Sequence, residues 1–450
     1  MNFPGSILMG AQSQLLDLTI PYRYFTAALF FHILLWALIA AFPNHVAFFA
    51  GGPGPALAAL HSLTLGVLTM TAMGVSFQML PVATGMPLRS ATATRAASWL
   101  FIPGVAVLVW GMAAGDPSAM AVGGFGVALG LAIYMVLVAE LMWRILQRAL
   151  TFEPLSGFGL PALVALAAAM VLGLVLIADG DHGFLHDRAG IATLHMIAAG
   201  FGFMGMLVLG FSHILLPLFA LSQGVPVGES RTVFALAVFG LMAALAGIFL
   251  GTPLLMAAGA LSGLFGVALH LRSMKRCLAT AMRRKLGISI LLMRAGWFFL
   301  VVSLALGCAT ALGLAGSQGF ALFVFAALFG WLLTFLLGVL QRILPFLGAM
   351  NATSAGATPP LMSKLAPEGP RRAHALCHGL ALILVAVGIA LEAPLPVRLG
   401  GLAGLLSALI YTAFALRVLW LICRCLRDTG KTGKISETTE TTKTTNKEKP

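Results

Sequence analysis

Residues 60–81 read LHSLTLGVLTMTAMGVSFQMLP, an apolar run without a single Asp, Glu, Lys or Arg. An α-helix rises 1.5 Å per residue and needs about 20 mostly apolar residues to cross a bilayer. The run does not alternate apolar with polar residues, as a strand of a transmembrane β-barrel would. It also has two counterparts further along the chain. Residues 194–217 read LHMIAAGFGFMGMLVLGFSHILLP, and residues 325–345 read FAALFGWLLTFLLGVLQRILP. In all three a Gly precedes a closing Leu-Pro by the same interval: Gly74 and Pro81, Gly210 and Pro217, Gly338 and Pro345. A polar residue stands just before each Leu-Pro, namely Gln78, His213 and Gln341. The offsets are 136 and 128 residues, which divides the chain into three similar lengths.

The remainder of the chain has the same character. Of 450 residues 60% are hydrophobic and 9% charged, against about 25% charged in a soluble domain. A soluble enzyme and a disordered protein are both excluded. Apolar runs of spanning length fall at roughly 22–42, 56–81, 95–114, 119–147, 159–178, 189–219, 232–250, 253–275, 290–314, 318–345, 374–392 and 398–425. The expected fold is an all-α, polytopic membrane protein of about twelve transmembrane helices. It is read as three tandem four-helix units (about 21–150, 151–285 and 286–427), each with the marked helix second. Internal repeats in membrane proteins often frame a central site.

The net charge of +13 is distributed as the positive-inside rule requires of inner loops, so nucleic acid is not an expected partner. Arg89 and Arg95 follow the second span, Arg144 and Arg148 the fourth. Arg272, Lys275, Arg276, Arg283, Arg284 and Lys285 follow the eighth, Lys364, Arg371 and Arg372 the tenth, and Arg424 and Arg427 the twelfth. Odd-numbered connections are nearly free of cations apart from Arg188 and Arg398. Both termini are therefore expected in the cytoplasm of a bacterial-type inner membrane. Residues 1–20 form a short N-terminal segment that lacks a basic start followed by an apolar run, so the first span is expected to insert as an uncleaved anchor. Residues 428–450, rich in Lys, Thr and Glu, are expected to be a disordered tail. The five cysteines form no Cys-x-x-Cys pair and read as small hydrophobes.

Ionisable residues inside a membrane are costly and default to functional candidates. Acids are scarce: Asp116, Asp179, Asp181 and Asp187 fall in outer loops, and Glu140 is the only carboxylate placed well inside a span. Histidines are better represented. His61 and His195 hold matching places near the outer starts of spans two and six, and His32 lies mid-depth in span one. Asp181-His182…His186-Asp187 offers metal ligands at i, i+4 spacing if that loop is helical. His195 and His213 are 18 residues apart, five α-helical turns, so they share a face about 27 Å apart. Gln78, His213, Gln341, His374 and His378 gather towards the cytoplasmic side as a polar site. The two glutamines there are read as satisfying helix-end backbone, and His374 and His378 as interfacial. Neutral imidazole ligates metals and haem iron, so His61 and His195 are the cofactor-binding candidates, and His182, His186 and His32 the metal candidates.

Twelve spans with inward termini, three four-helix arcs and a His near the outer start of span two resemble the haem–copper oxidase catalytic subunit. The stretch from His61 to Pro87 and its echo from His195 to Pro217 are similar to a divergent branch that includes NnrS-type proteins linked to nitric oxide stress. The resemblance implies that His61 is a ligand of haem b and that His195 lies in a ligand-bearing span. Departures are plain. Span seven has no His-His pair, span ten has no His, no Tyr is placed for oxygen cleavage, and channel carboxylates are missing. A complete oxygen or nitric oxide reductase is therefore not the expectation. Three readings follow. One is a membrane haem protein in electron transfer, sensing or nitrosative stress. The second is a transporter or handling protein for copper or haem. The third is a cofactor-free assembly or structural subunit with a redox or assembly partner.

Overall fold

The computed structural model describes residues 15–148, 152–282 and 287–445. Arg283, Arg284 and Lys285, residues 1–14 of the N-terminal segment and residues 446–450 of the tail lie outside the described residues. Among the described residues twelve helices are long and apolar enough to cross a membrane. They are α1 (Thr19–Ala41), α2 (Pro55–Thr84), α3 (Ala91–Ala114), α4 (Pro117–Arg148), α5 (Pro154–Gly180) and α6 (Arg188–Ala220). The rest are α7 (Val227–Phe249), α8 (Pro253–Ala279), α9 (Gly287–Ala311), α10 (Gly319–Ser354), α11 (Glu368–Ala390) and α12 (Pro394–Asp428). The described residues contain no strand, and the molecule is an all-α polytopic membrane protein.

Helices α2, α6 and α10, which carry the three quoted motifs, are the most buried of the twelve. Each packs on the helix before it, and the hairpins α3–α4, α7–α8 and α11–α12 lie outside them. Seams between α4 and α5, α8 and α9, and α12 and α1 close the bundle into a ring. A π-helical segment interrupts each central helix about two to three turns after its start, at Ser62–Thr69, Ala198–Gly205 and Ala326–Leu333. These start at the same 136- and 128-residue offsets as the sequence motifs.

The glycines of the motifs serve close approach. A Cβ on Gly66 would meet the Phe31 ring, one on Gly202 the Ala165 methyl, and one on Gly330 the Phe299 ring, all at under 3 Å. These three positions keep the motif offsets, and each contact is to the first helix of the corresponding third of the ring. Small residues let membrane helices approach where no hydrophobic effect drives them together. The central helices also run three residues past Pro81 and Pro217 and nine past Pro345, so the Leu-Pro pairs do not end them.

The scarce acids cap and pair. Asp116, Glu153 and Asp187 accept backbone N–H bonds at the starts of α4, α5 and α6, where the helix dipole favours a carboxylate. Asp179, expected in a loop, is buried in the last turns of α5. There it accepts from Leu185 N–H at 2.7 Å and pairs with Arg188. Glu140 lies two turns from the end of α4, half-buried, in an i, i+4 pair with Arg144 at 3.0 Å. The membrane interior thus holds even less carboxylate than the sequence implies. The backbone of α12 continues in helix to Thr445. Extending a formed helix adds one hydrogen bond per residue without a new nucleus.

Candidate functional site

Three groups of imidazoles, the first half-buried and the other two buried, occupy three different parts of the ring. The first joins α2 and α6. His61 and His195 place their ring centres 6.4 Å apart with planes 20° from parallel. His61 Nδ1 is 3.1 Å from the Leu57 carbonyl, one turn back in its own helix. His195 Nδ1 is 2.8 Å from the Ala169 carbonyl of α5. A carbonyl only accepts, so both Nδ1 atoms carry hydrogen and both Nε2 atoms keep a free lone pair. A hydrogen bond of this kind fixes the tautomer and ring orientation of a metal-ligating histidine. Gly173 makes room for it, since a Cβ there would stand 3.1 Å from the His195 ring. Metal–nitrogen bonds of about 2.0–2.1 Å put the centres of two imidazoles flanking one ion roughly 6.3 Å apart. The observed ring-centre separation of 6.4 Å has the length of such an arrangement. The matching positions seen in the sequence are brought together.

The second group joins α6, α8 and α9. His213 and His270 have ring centres 5.4 Å apart, and His213 stacks on Phe158 while His270 meets the edge of Trp297. His213 Nδ1 donates to Leu209 O at 2.7 Å. His213 Nε2, both His270 nitrogens and the Trp297 indole N–H have no hydrogen-bond partner. His195 and His213 do not share a face as the 18-residue spacing predicts. The π-helical segment between them has more residues per turn and rotates His213 away towards α8.

The third group closes the seam between α1, α11 and α12. His32, His374 and His378 are each at most 2% exposed. Thr334 Oγ1 donates to Phe329 O and so accepts from His378 Nε2 at 2.8 Å. Ser407 Oγ donates to His374 O and accepts from His374 Nδ1 at 2.8 Å. Trp36 Nε1–H donates to His32 Nε2 at 3.2 Å. His374 Nε2, His378 Nδ1 and the Tyr411 hydroxyl are left without partners. His374 and His378 are therefore core residues rather than interfacial ones, because α1 and α12 cover the face of α11 that carries them. His32, read as a metal candidate by itself, belongs with them.

The expected cytoplasmic-side polar site does not form as one constellation. His213 joins His270, whereas His374 and His378 join His32. Gln78 and Gln341 are fully buried, and neither amide has a hydrogen-bond partner, so they do not satisfy helix-end backbone. The outer loop is not helical between His182 and Asp187. Helix ends at His182, Gly183 takes a left-handed φ of 60°, and the next helix starts at Arg188. Both histidines are exposed and the i, i+4 geometry is broken, while Asp187 is engaged as an N-cap. Among the described residues no three His, Cys, Asp or Glu side chains converge on one metal position. Sequence reading missed Trp36, Trp297, Ser407, Thr334 and Tyr411, which carry no signal apart from their apolar helices. No protein-family model matches the chain, and no curated protein matches it in sequence.

Proposed function

We propose that this protein is an integral membrane haem protein in which His61 and His195 would hold one haem b. The observation that carries the reading is the pairing of two imidazoles from separate helices, each with Nδ1 tied to a carbonyl and Nε2 left free. Held by His61 and His195, such a group would supply electron-transfer chemistry rather than a site for a substrate. The chain's own part is to fix the two rings. Leu57 and Ala169 hold the tautomer, and the glycine at 173 admits the His195 ring. Function then lies in electron transfer, sensing or nitrosative-stress protection, on a scaffold related to the haem–copper oxidase subunit without its full ligand set.

The absorption spectrum of detergent-purified protein, expressed with ample haem, tests this. A Soret band that His61→Ala and His195→Ala each remove is the expected result. A colourless wild-type protein with native helicity rules the reading out. A second reading, copper or haem handling, is favoured by the bare nitrogens of the other two imidazole groups. Metal analysis of the same preparation separates the two, since it predicts copper in protein that lacks a Soret band.

A further inference from the structure

In the seam between α11 and α12, the surrounding hydrogen bonds settle which imidazole nitrogens carry protons. His374 and His378 lie one turn apart on α11, with ring centres 5.9 Å apart. The Tyr411 ring of α12 lies 4.9 Å from that of His374. His374 Nδ1 is 3.3 Å from the Ser407 carbonyl, which can only accept, so Nδ1 carries the hydrogen and Nε2 the lone pair. His378 Nε2 donates to Thr334 Oγ1, whose own hydrogen goes to Phe329 O. The lone pair of His378 is therefore on Nδ1. These two lone pairs and the Tyr411 hydroxyl have no partner in the protein.

Two bare nitrogens cannot pair with each other, because both only accept. No water-sized space opens onto any of the three atoms, so water does not fit beside them. A transition-metal ion does. It is smaller than a water molecule and bonds nitrogen at about 2.0–2.1 Å, where a hydrogen-bonded water would stand about 2.7–3.2 Å away. Histidines at i, i+4 on one helix face have the spacing with which helices hold zinc. Both rings are already fixed through their far nitrogens by hydroxyls that are themselves tied to carbonyls, Ser407 to His374 O and Thr334 to Phe329 O, and such a bond sets the orientation of a ligating histidine. His32 lends no donor, since its Nε2 lone pair accepts from Trp36 at 3.2 Å. Tyr411 offers the third donor that no His, Cys, Asp or Glu supplies. Mg²⁺ and Ca²⁺ prefer oxygen throughout, whereas imidazole suits zinc, copper and nickel.

We infer that this seam binds one divalent late first-row transition-metal ion through His374 Nε2, His378 Nδ1 and the Tyr411 oxygen. Binding displaces the phenol proton to solvent, because a ligand atom must give up its proton to the metal, and the ion then ties α11 to α12. The site shares no residue with the His61–His195 pair and stands without the haem reading.

Full-length protein, purified in detergent from cells grown with added zinc, copper or cobalt, tests it by elemental analysis, with iron counted apart. One equivalent of the added metal is expected, and the cobalt form is expected to show visible d–d absorption. His378→Gln and Tyr411→Phe are each expected to lose both. Tyr411→Phe removes a single oxygen and keeps the ring, so it separates loss of a donor from loss of the fold. Thr334→Val keeps all three donors and releases the far nitrogen of His378. It is expected to weaken the metal by roughly 10–100-fold, the usual effect of removing such a support. Wild-type protein of native helicity that holds none of these metals overturns the inference, and so does metal that His378→Gln and Tyr411→Phe leave in place. His61→Ala is expected to keep this metal and lose the Soret band, and His378→Gln the reverse, so the two sites are read separately.

Discussion

At the scale of single residues, scarcity decides what each polar group does. A carboxylate next to a bilayer is affordable where backbone N–H groups or an arginine meet it, and Asp116, Asp187 and Asp179 are all so placed. Arg188, an exception to the cation pattern, is matched by Asp179 and adds no net charge to its loop. Glu153 is the instructive case. It caps α5 through Ser156 N–H at 2.8 Å, yet burial pushes its carboxyl above the usual range, and the hydrogen bonds from Ser156 and Leu155 only partly oppose this. A carboxyl raised in the folded state holds its proton more tightly there than in the unfolded chain. Its contribution to stability is therefore present at low pH and lost as pH rises through the raised value. Glu153→Gln keeps an acceptor for Ser156 and removes the titration. Relative to wild type, its thermal midpoint is expected to gain as pH rises from about 4.3, the ordinary Glu value, towards neutrality. Parallel midpoint–pH curves for the two proteins would contradict this.

At the scale of elements, glycine marks where helices touch. A Cβ on Gly123 of α4 would lie 2.3 Å from Leu108 N and 2.6 Å from Leu108 Cα of α3, and backbone cannot yield as a side-chain tip can. Gly123→Ala is expected to destabilise the α3–α4 hairpin by about 1–3 kcal/mol, the usual cost of overpacking. Gly379 in α11 has nothing within 4 Å of a built Cβ. Gly379→Ala is expected to be neutral or to stabilise by up to about 1 kcal/mol through helix propensity. Thermal unfolding in detergent that ranks the two the other way would refute the packing account. Element existence was legible because an apolar run of spanning length has one main reading in lipid, and the Gly–Leu-Pro intervals pointed to the central helices. The π-helical segments were not legible, since a π turn and an α turn are built from the same residues. That one hidden feature separates His195 from His213. The core position of His374 and His378 was hidden for another reason: a helix near two arginines reads as interfacial until the helices that cover it are placed.

At the scale of the whole molecule, orientation follows from charges that the helices cannot hide. Arg89, Arg95, Arg144, Arg148, Arg272, Lys275, Arg276, Lys364, Arg371 and Arg372 all lie at one end of the bundle, because alternating spans return to the same side after α2, α4, α8 and α10. The opposite end holds the exposed His182 and His186 and the α3–α4 turn at Gly115 and Asp116. An inner-facing cationic end therefore requires that the His61–His195 pair lies towards the outer side. Single cysteines introduced at Asp116 and His186, in a background with the five native cysteines replaced by Ser or Ala, are expected to react with a membrane-impermeant maleimide on intact cells. A cysteine at Lys364 is expected to react only after permeabilisation. The reverse pattern would invert the bundle and move the proposed haem to the cytoplasmic leaflet. Labelling at all three positions without permeabilisation would mean that the chain does not cross with an even number of spans.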